Sequence, residues 1–255
     1  MPIPQYPLGR VEPYPRPFIY LDYWAMRLFA DEVIRGDRLL RILQRGTLLL
    51  SIMNLAEIAR PKSGESVQSV ENYLDAVGPR WTILNWSREE VSKREALGYR
   101  EPWLDERWTR MARSTFAASL RSLVRRLREP WAQAMLDEWE AEAKKVMELV
   151  ELVRASVRAK TLVLDGSPLP GSAGCNAVFE VVLQKLTTST LRLDRNQLDD
   201  LIHATVPLAH ADVVFMDERT ASLLNRTPLR RKAFWRAEVD DALFIAGHGF
   251  RPSLP

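Results

Sequence analysis

Two short apolar runs that each stop on an aspartate constrain this chain more than any other feature. Phe18-Ile19-Tyr20-Leu21 ends on Asp22, and Val213-Val214-Phe215-Met216 ends on Asp217. Both runs have the length and the β-branched or aromatic content of a buried strand. A helical pattern follows each of them. YWAMRLFADEVIRG carries Trp24, Leu28, Phe29 and Val33 at helical spacing and stops at Gly36, and ERTASLLNR follows Asp217. DRLLRILQRG reads as a second short helix, closed by Gly46 as helix ends often are. TLLLSIM (47–53) reads as another strand. NLAEIAR reads as the helix after it, with Asn54 as N-cap and Pro61 as its stop. Strands alternating with helices predict an α/β core built on a parallel sheet.

The middle of the chain reads differently. ESVQSVENYLDAVG is helical and WTILN (81–85) is strand-like, but residues 86–160 are charged and helical. From 135 to 157 the apolar positions Met135, Trp139, Ala143, Val146, Val150, Val153 and Val157 step by three or four, the spacing of one amphipathic helix. Unbroken over roughly 30 residues, it spans about 45 Å. Met111, Phe116, Leu120, Leu123 and Leu127 mark a partner helix, and Glu129-Pro130 the bend of a helical hairpin. LDGSPLPGSAG (164–174) reads as a loop and NAVFEVVLQKLTT as a helix. The expected organisation is a proline-rich arm over 1–16, then one α/β domain over 17–255, with a large helical insertion at about 61–175.

Composition narrows the classes. In 255 residues no apolar run approaches 18, so no transmembrane helix is expected. The opening MPIPQYPLGRVEPYPRPF carries six prolines and lacks the charged-then-apolar order of a signal peptide. The single cysteine, Cys175, excludes an internal disulfide and fits a reducing cytoplasm. A formal charge of +3 is compatible with nucleic-acid binding without requiring it.

In open parallel sheets, ligands bind outside the carboxyl ends of the strands. Asp22 and Asp217 close strands, and Glu57 sits one turn into the helix after TLLLSI, so all three are expected on one rim. Asp199 and Asp200 open the helix leading back to the VVFM strand and can approach the same rim. Two like charges 4 Å apart repel by about 4 kcal/mol at an effective dielectric of 20, and a divalent cation removes that cost. An all-oxygen set without CxxC or HExxH suits Mg²⁺ or Mn²⁺ better than zinc. Each acid also has a plainer role. Asp212 turns the chain before its strand, Asp199 and Asp200 favour a helix dipole, and Glu57 alone would be a surface residue.

These segments resemble the PIN-domain nucleases. IYLDYWAMRL is similar to the family's opening around its first acid, here Asp22. SIMNLAEIAR is similar to the segment with its second acid, here Glu57. NQLDDLIHATVPLAHADVVFMDERTASLL is similar to its closing signature: D-x-x-H, a short apolar helix, an acid, a strand and a terminal acid. On this match Asp200 and His203 form the D-x-x-H pair, with Asp199 a rival to Asp200, Asp212 opening the strand and Asp217 ending it. The resemblance covers roughly 17–60 and 190–226. Tyr23 and Trp24 stand where many members carry a polar pair, and Met216 where many carry Thr or Ser.

What the resemblance implies is a PIN-like sheet flanked by helices and a Mg²⁺- or Mn²⁺-dependent endoribonuclease. The metal ligands would be Asp22, Glu57, Asp200 and Asp217, with Asp199 and Asp212 as further candidates. His203, at i+3 from Asp200, would hydrogen-bond a ligand carboxylate or a phosphate; the plainer reading is a partly buried helix histidine. RNA, an antitoxin protein and a second copy of the chain are the expected partners, since many relatives are toxins of toxin–antitoxin pairs. A non-catalytic RNA-binding or protein-interaction module and a structure-specific DNA nuclease are the alternatives.

Two basic stretches add candidates. Arg110, Arg113, Arg121, Arg125 and Arg128 follow roughly helical spacing, either as a solvated face or as a nucleic-acid track. LRRKAFWR (229–236) places Arg230, Arg231, Lys232 and Arg236 beside Phe234 and Trp235, a mixture able to hold phosphates and stack bases.

Overall fold

The computed structural model describes residues 14–59, 64–115, 120–129, 173–188 and 195–248, with positions 144, 145, 148, 151–153, 155 and 156. Five parallel strands form one sheet: β1 (Phe18–Leu21), β2 (Thr47–Leu50), β3 (Trp81–Ile83), β4 (Val213–Phe215) and β5 (Ala233–Phe234), in the order β3-β2-β1-β4-β5. The chain builds outward from β1 to β3 on one side, then returns to lay β4 and β5 on the other. The strands are buried throughout, as a parallel sheet covered on both faces requires.

Alternate side chains feed two cores. Ile19, Leu21, Leu48, Leu50 and Phe215 point to one face, under α1 (Tyr23–Asp31), α2 (Val33–Leu43), α3 (Ile52–Ala59), α4 (Gly64–Ala76), α7 (Leu120–Arg126) and α11 (Val239–His248). Phe18, Tyr20, Leu49, Val214 and Met216 point to the other, under α5 (Arg88–Ala96), α8 (Gly174–Thr188), α9 (Arg195–His210) and α10 (Glu218–Leu223). A further helix, α6 (Glu106–Thr115), packs beside β3. The period-2 alternation of a strand thus separates two hydrophobic layers around one sheet.

The structure differs from the sequence reading at four places. The helix expected to run to Gly36 breaks at Glu32, whose backbone is extended, and α2 starts at Val33. Gly36 lies inside α2, where a Cβ would stand 2.3 Å from the Phe29 carbonyl oxygen. It is a close-approach glycine between crossing helices, not a stop. Second, β2 ends at Leu50 and α3 begins at Ile52. Asn54 therefore lies within the helix rather than capping it. Third, the stretch read as an insertion from 61 onward contains α4, β3, α5 and α7, which belong to the layered core. Most of the long helix expected over 135–157 lies outside the described residues, as do Pro61, residues 1–13 of the arm and most of the loop at 164–174. Fourth, Arg121 and Arg125 serve packing. Both reach Glu71 (3.7 Å each), which Arg128 also holds at 2.8 Å, and Arg121 adds Asp75 at 3.4 Å. Glu71 is only 6% exposed, so three guanidiniums neutralise a buried carboxylate and tie α7 to α4.

Candidate active site at the carboxyl rim

Sheet order locates the site. The chain reverses its direction of growth between β1 and β4, and the crevice beyond the carboxyl ends of those two strands is where open α/β sheets take ligands. Leu21 is paired with Phe215, and the Asp22 amide donates to the Phe215 carbonyl at 3.1 Å. Asp22 and Asp217 therefore leave adjacent strands at the same level.

Each also caps a helix. Asp22 Oδ1 accepts from the Tyr23 amide at 2.6 Å and caps α1. Asp217 Oδ1 accepts from the amides of Arg219 (2.9 Å) and Thr220 (3.0 Å), and its Oδ2 accepts from the Thr220 hydroxyl. Glu57 comes from α3. Asn54, one turn earlier on that helix, is buried and donates to the Tyr20 phenol oxygen and to the Leu21 carbonyl, both at 2.8 Å. These bonds dock α3 on the last residues of β1, directly before Asp22. Asn54 is a positioning residue that the sequence reading placed elsewhere. An asparagine amid NLAEIA signals only a turn or cap, and its partners come from a strand 33 residues away.

Burial and two neighbouring charges act on Asp22. The Asp22 carboxyl is pushed up to about 7, first by burial, and further by the charges of Glu57 and Asp217; its Tyr23 amide bond opposes the rise. Among the described residues no three Asp, Glu, His or Cys side chains are close enough to hold one ion. The side chains of Asp199 and Asp200 lie outside the described residues, although their backbone belongs to α9. His203, also on α9, is held down to about 4 by burial and is neutral at pH 7. The donor chemistry still fits a hard divalent cation. The rim offers carboxylate oxygens, and one of them resists ionising until positive charge arrives.

The structure places the other candidates apart. Asp212 stands at the opposite end of β4, where it accepts from the Phe18 amide at 2.7 Å and pairs with Arg16. It joins the amino ends of β1 and β4 and does not reach the rim. LRRKAFWR is also split, because β5 lies inside it. Lys232 precedes β5 and is buried at the amino end, its ammonium 3.4 Å from the Leu208 and Ala209 carbonyls. Trp235 follows β5 and stands at the same end as Asp217. Arg230 bonds Glu238 and the Ala233 carbonyl, and its guanidinium lies 4.3 Å from the centre of the Trp235 ring. Arg231 is exposed, and Arg236 is exposed with Glu32 at 3.4 Å. Cys175 is buried and its thiol is pushed up to about 12, chiefly by burial and then by Glu95, so it remains protonated and inert.

No family model matches this chain, and no curated protein and no solved structure matches it.

Proposed function

We propose that this chain is a PIN-like, metal-dependent nuclease acting on RNA, with Mg²⁺ or Mn²⁺ held by Asp22, Glu57, Asp217 and either Asp200 or Asp199. The observation that carries this reading is the raised carboxyl of Asp22 at the β1–β4 switch point, with Glu57 and Asp217 as the neighbouring charges that raise it. Three acids from three separate elements lie near enough for Glu57 and Asp217 to raise Asp22, and among the described residues no lysine or arginine forms an ion pair with Asp22 or Asp217. A cation is the ligand that such a field favours. Helix α9 supports the fourth acid. From Asp200 to His210 it rises about 15 Å, close to the roughly 16 Å from Asp212 to Asp217 along an extended strand. A helix returning beside β4 over that length would bring the backbone of Asp200 to about the level of the rim.

When bound, the cation would supply an activated water and charge neutralisation at a phosphodiester. The chain's own residues do the rest. Asp22 releases the proton it carries near neutral pH when the site is loaded. Asp217 keeps its cap bonds to α10 and has lone pairs left over, because a carboxylate has about four acceptor sites. Asn54 holds α3, and so Glu57, against β1. Neutral His203 serves as a hydrogen-bonding group and not as a cationic one at pH 7. Cytoplasmic location and a role as a toxin belong to the same proposal.

The second reading, a binding module without catalysis, has one observation in its favour: both oxygens of Asp217 already serve α10. Cleavage of labelled single-stranded RNA, single-stranded DNA and forked DNA, with and without Mn²⁺, decides between them. We expect RNA cleavage that EDTA abolishes and Mn²⁺ restores, and that Asp22→Asn loses. Cleavage undiminished in EDTA would refute the metal. No cleavage of any substrate, together with tight RNA binding, would favour the binding module.

A further inference from the structure

The opposite end of the sheet carries a second feature. A cleft of about 1170 Å³ opens at the amino ends of the strands, between α2, α11 and the end of α9. Arg16, Arg38, Arg41, Arg45 and Lys232 line it, against the single carboxylate of Asp212. Three helices also end there: α2, α9 and α11. Each helix end carries about half a negative charge. With Asp212 they offset fewer than three of the five cations, so a positive surplus remains.

The surplus is available to a ligand. Arg16 pairs with Asp212 and Arg38 with Asp240 at 2.5 Å. Arg41, in the last turn of α2, and Arg45, two residues beyond its end, are exposed and form no ion pair with any described residue. Beside them Phe244 is 61% exposed, an unusual exposure for a phenylalanine. Its ring stacks on His248, with centroids 4.2 Å apart and planes at 28°, and the His248 ring bonds the Phe244 carbonyl at 2.8 Å. One side of a held aromatic platform thus faces a cleft rich in guanidinium groups.

We propose that this cleft binds a single strand of nucleic acid, with phosphates on Arg41 and Arg45 and a base stacked on Phe244. Unpaired guanidiniums supply sequence-independent backbone affinity, and an exposed ring takes any unstacked base. A duplex keeps its bases stacked and would leave Phe244 unused. The site is separate from the carboxylate rim and does not require that rim to be catalytic.

The test is fluorescence anisotropy of a labelled oligouridylate with the full chain, over a salt series in EDTA. Arg41→Ala with Arg45→Ala should weaken binding and flatten the log–log salt slope by about 1.4, at about 0.7 per phosphate on a single strand. Phe244→Ala should weaken binding roughly five- to a hundred-fold with the slope unchanged. Lys93→Ala with Arg107→Ala removes the same charge from exposed sites on α5 and α6 and should leave the slope at its wild-type value. A wild-type slope in the Arg41/Arg45 variant, unchanged affinity in Phe244→Ala, or an equal loss in the control pair overturns the proposal. So does lost binding to phosphatidylserine vesicles with oligonucleotide binding intact, which would make the cleft a membrane contact. Circular dichroism of the variants confirms that these exposed substitutions leave the fold intact. EDTA keeps cleavage out of the measurement, so failure here leaves the nuclease reading standing, and an inactive rim leaves the cleft standing.

Discussion

Asp22→Asn should stabilise the metal-free protein, and should do so only at the higher end of the pH range. In the unfolded chain Asp22 ionises near 3.8, and in the folded protein at about 7. Between those values the folded state holds a proton that the unfolded state has lost. Stability therefore falls as pH rises from about 4 to about 7 and is level above that. The separation is about three pH units at about 1.4 kcal/mol each, which sets a ceiling of about 4 kcal/mol. Asp22 as a residue is only partly buried, so roughly 2–4 kcal/mol is expected. Asparagine removes the charge, keeps an oxygen for the Tyr23 amide and is itself a good N-cap. At about 2–4 °C per kcal/mol for a chain of this size, the variant should melt roughly 4–15 °C above wild type at pH 8 and level with it near pH 4. Thermal melts in EDTA at those two pH values measure this. Mn²⁺ at pH 8 should raise the wild-type melting temperature and leave the variant nearly unchanged. A variant that melts lower at pH 8, or by an equal margin at both pH values, would show that Asp22 is ionised and satisfied in the free protein. The three acids would then share no field.

Two further substitutions test the frame around the site. Asn54→Ala removes both 2.8 Å bonds between α3 and β1 and leaves the Leu21 carbonyl short of a donor. It should cost about 1–3 kcal/mol in urea unfolding and should also weaken Mn²⁺ binding, because Glu57 rides on α3. Gly36→Ala puts a methyl group against the Phe29 carbonyl oxygen. A loss of about 1–3 kcal/mol or more is expected in the same assay, and a neutral result would mean that α1 and α2 do not cross as closely as described.

The sequence by itself determined the α/β class and four of the five strands, but not β5, whose two residues lie inside LRRKAFWR. Apolar runs such as FIYL and VVFM, each followed by a helical pattern, record local backbone preference and burial, which neighbouring residues specify on their own. Asp22 and Asp217 were legible for the same reason, since each directly ends such a run. The rest depended on pairing. Parallel strands were enough to expect Asp22 and Asp217 on one rim, but that they stand side by side follows from the Leu21–Phe215 register and the β3-β2-β1-β4-β5 order, neither of which a linear pattern encodes. Asp212, five residues before Asp217, was a further candidate from sequence, yet an extended strand carries it to the far end of the sheet. The same short distance divides LRRKAFWR, sending Lys232 to one end and Trp235 to the other. Arg121 and Arg125 read as a solvated face or a nucleic-acid track because their neutraliser, Glu71, comes from another helix about fifty residues away. Gly36 read as a helix end because the close approach that demands a glycine is made by Phe29 on a different helix. Charge, chirality and periodicity are written residue by residue. Which charges meet is decided by long-range packing, where the contacts lie far apart in the chain.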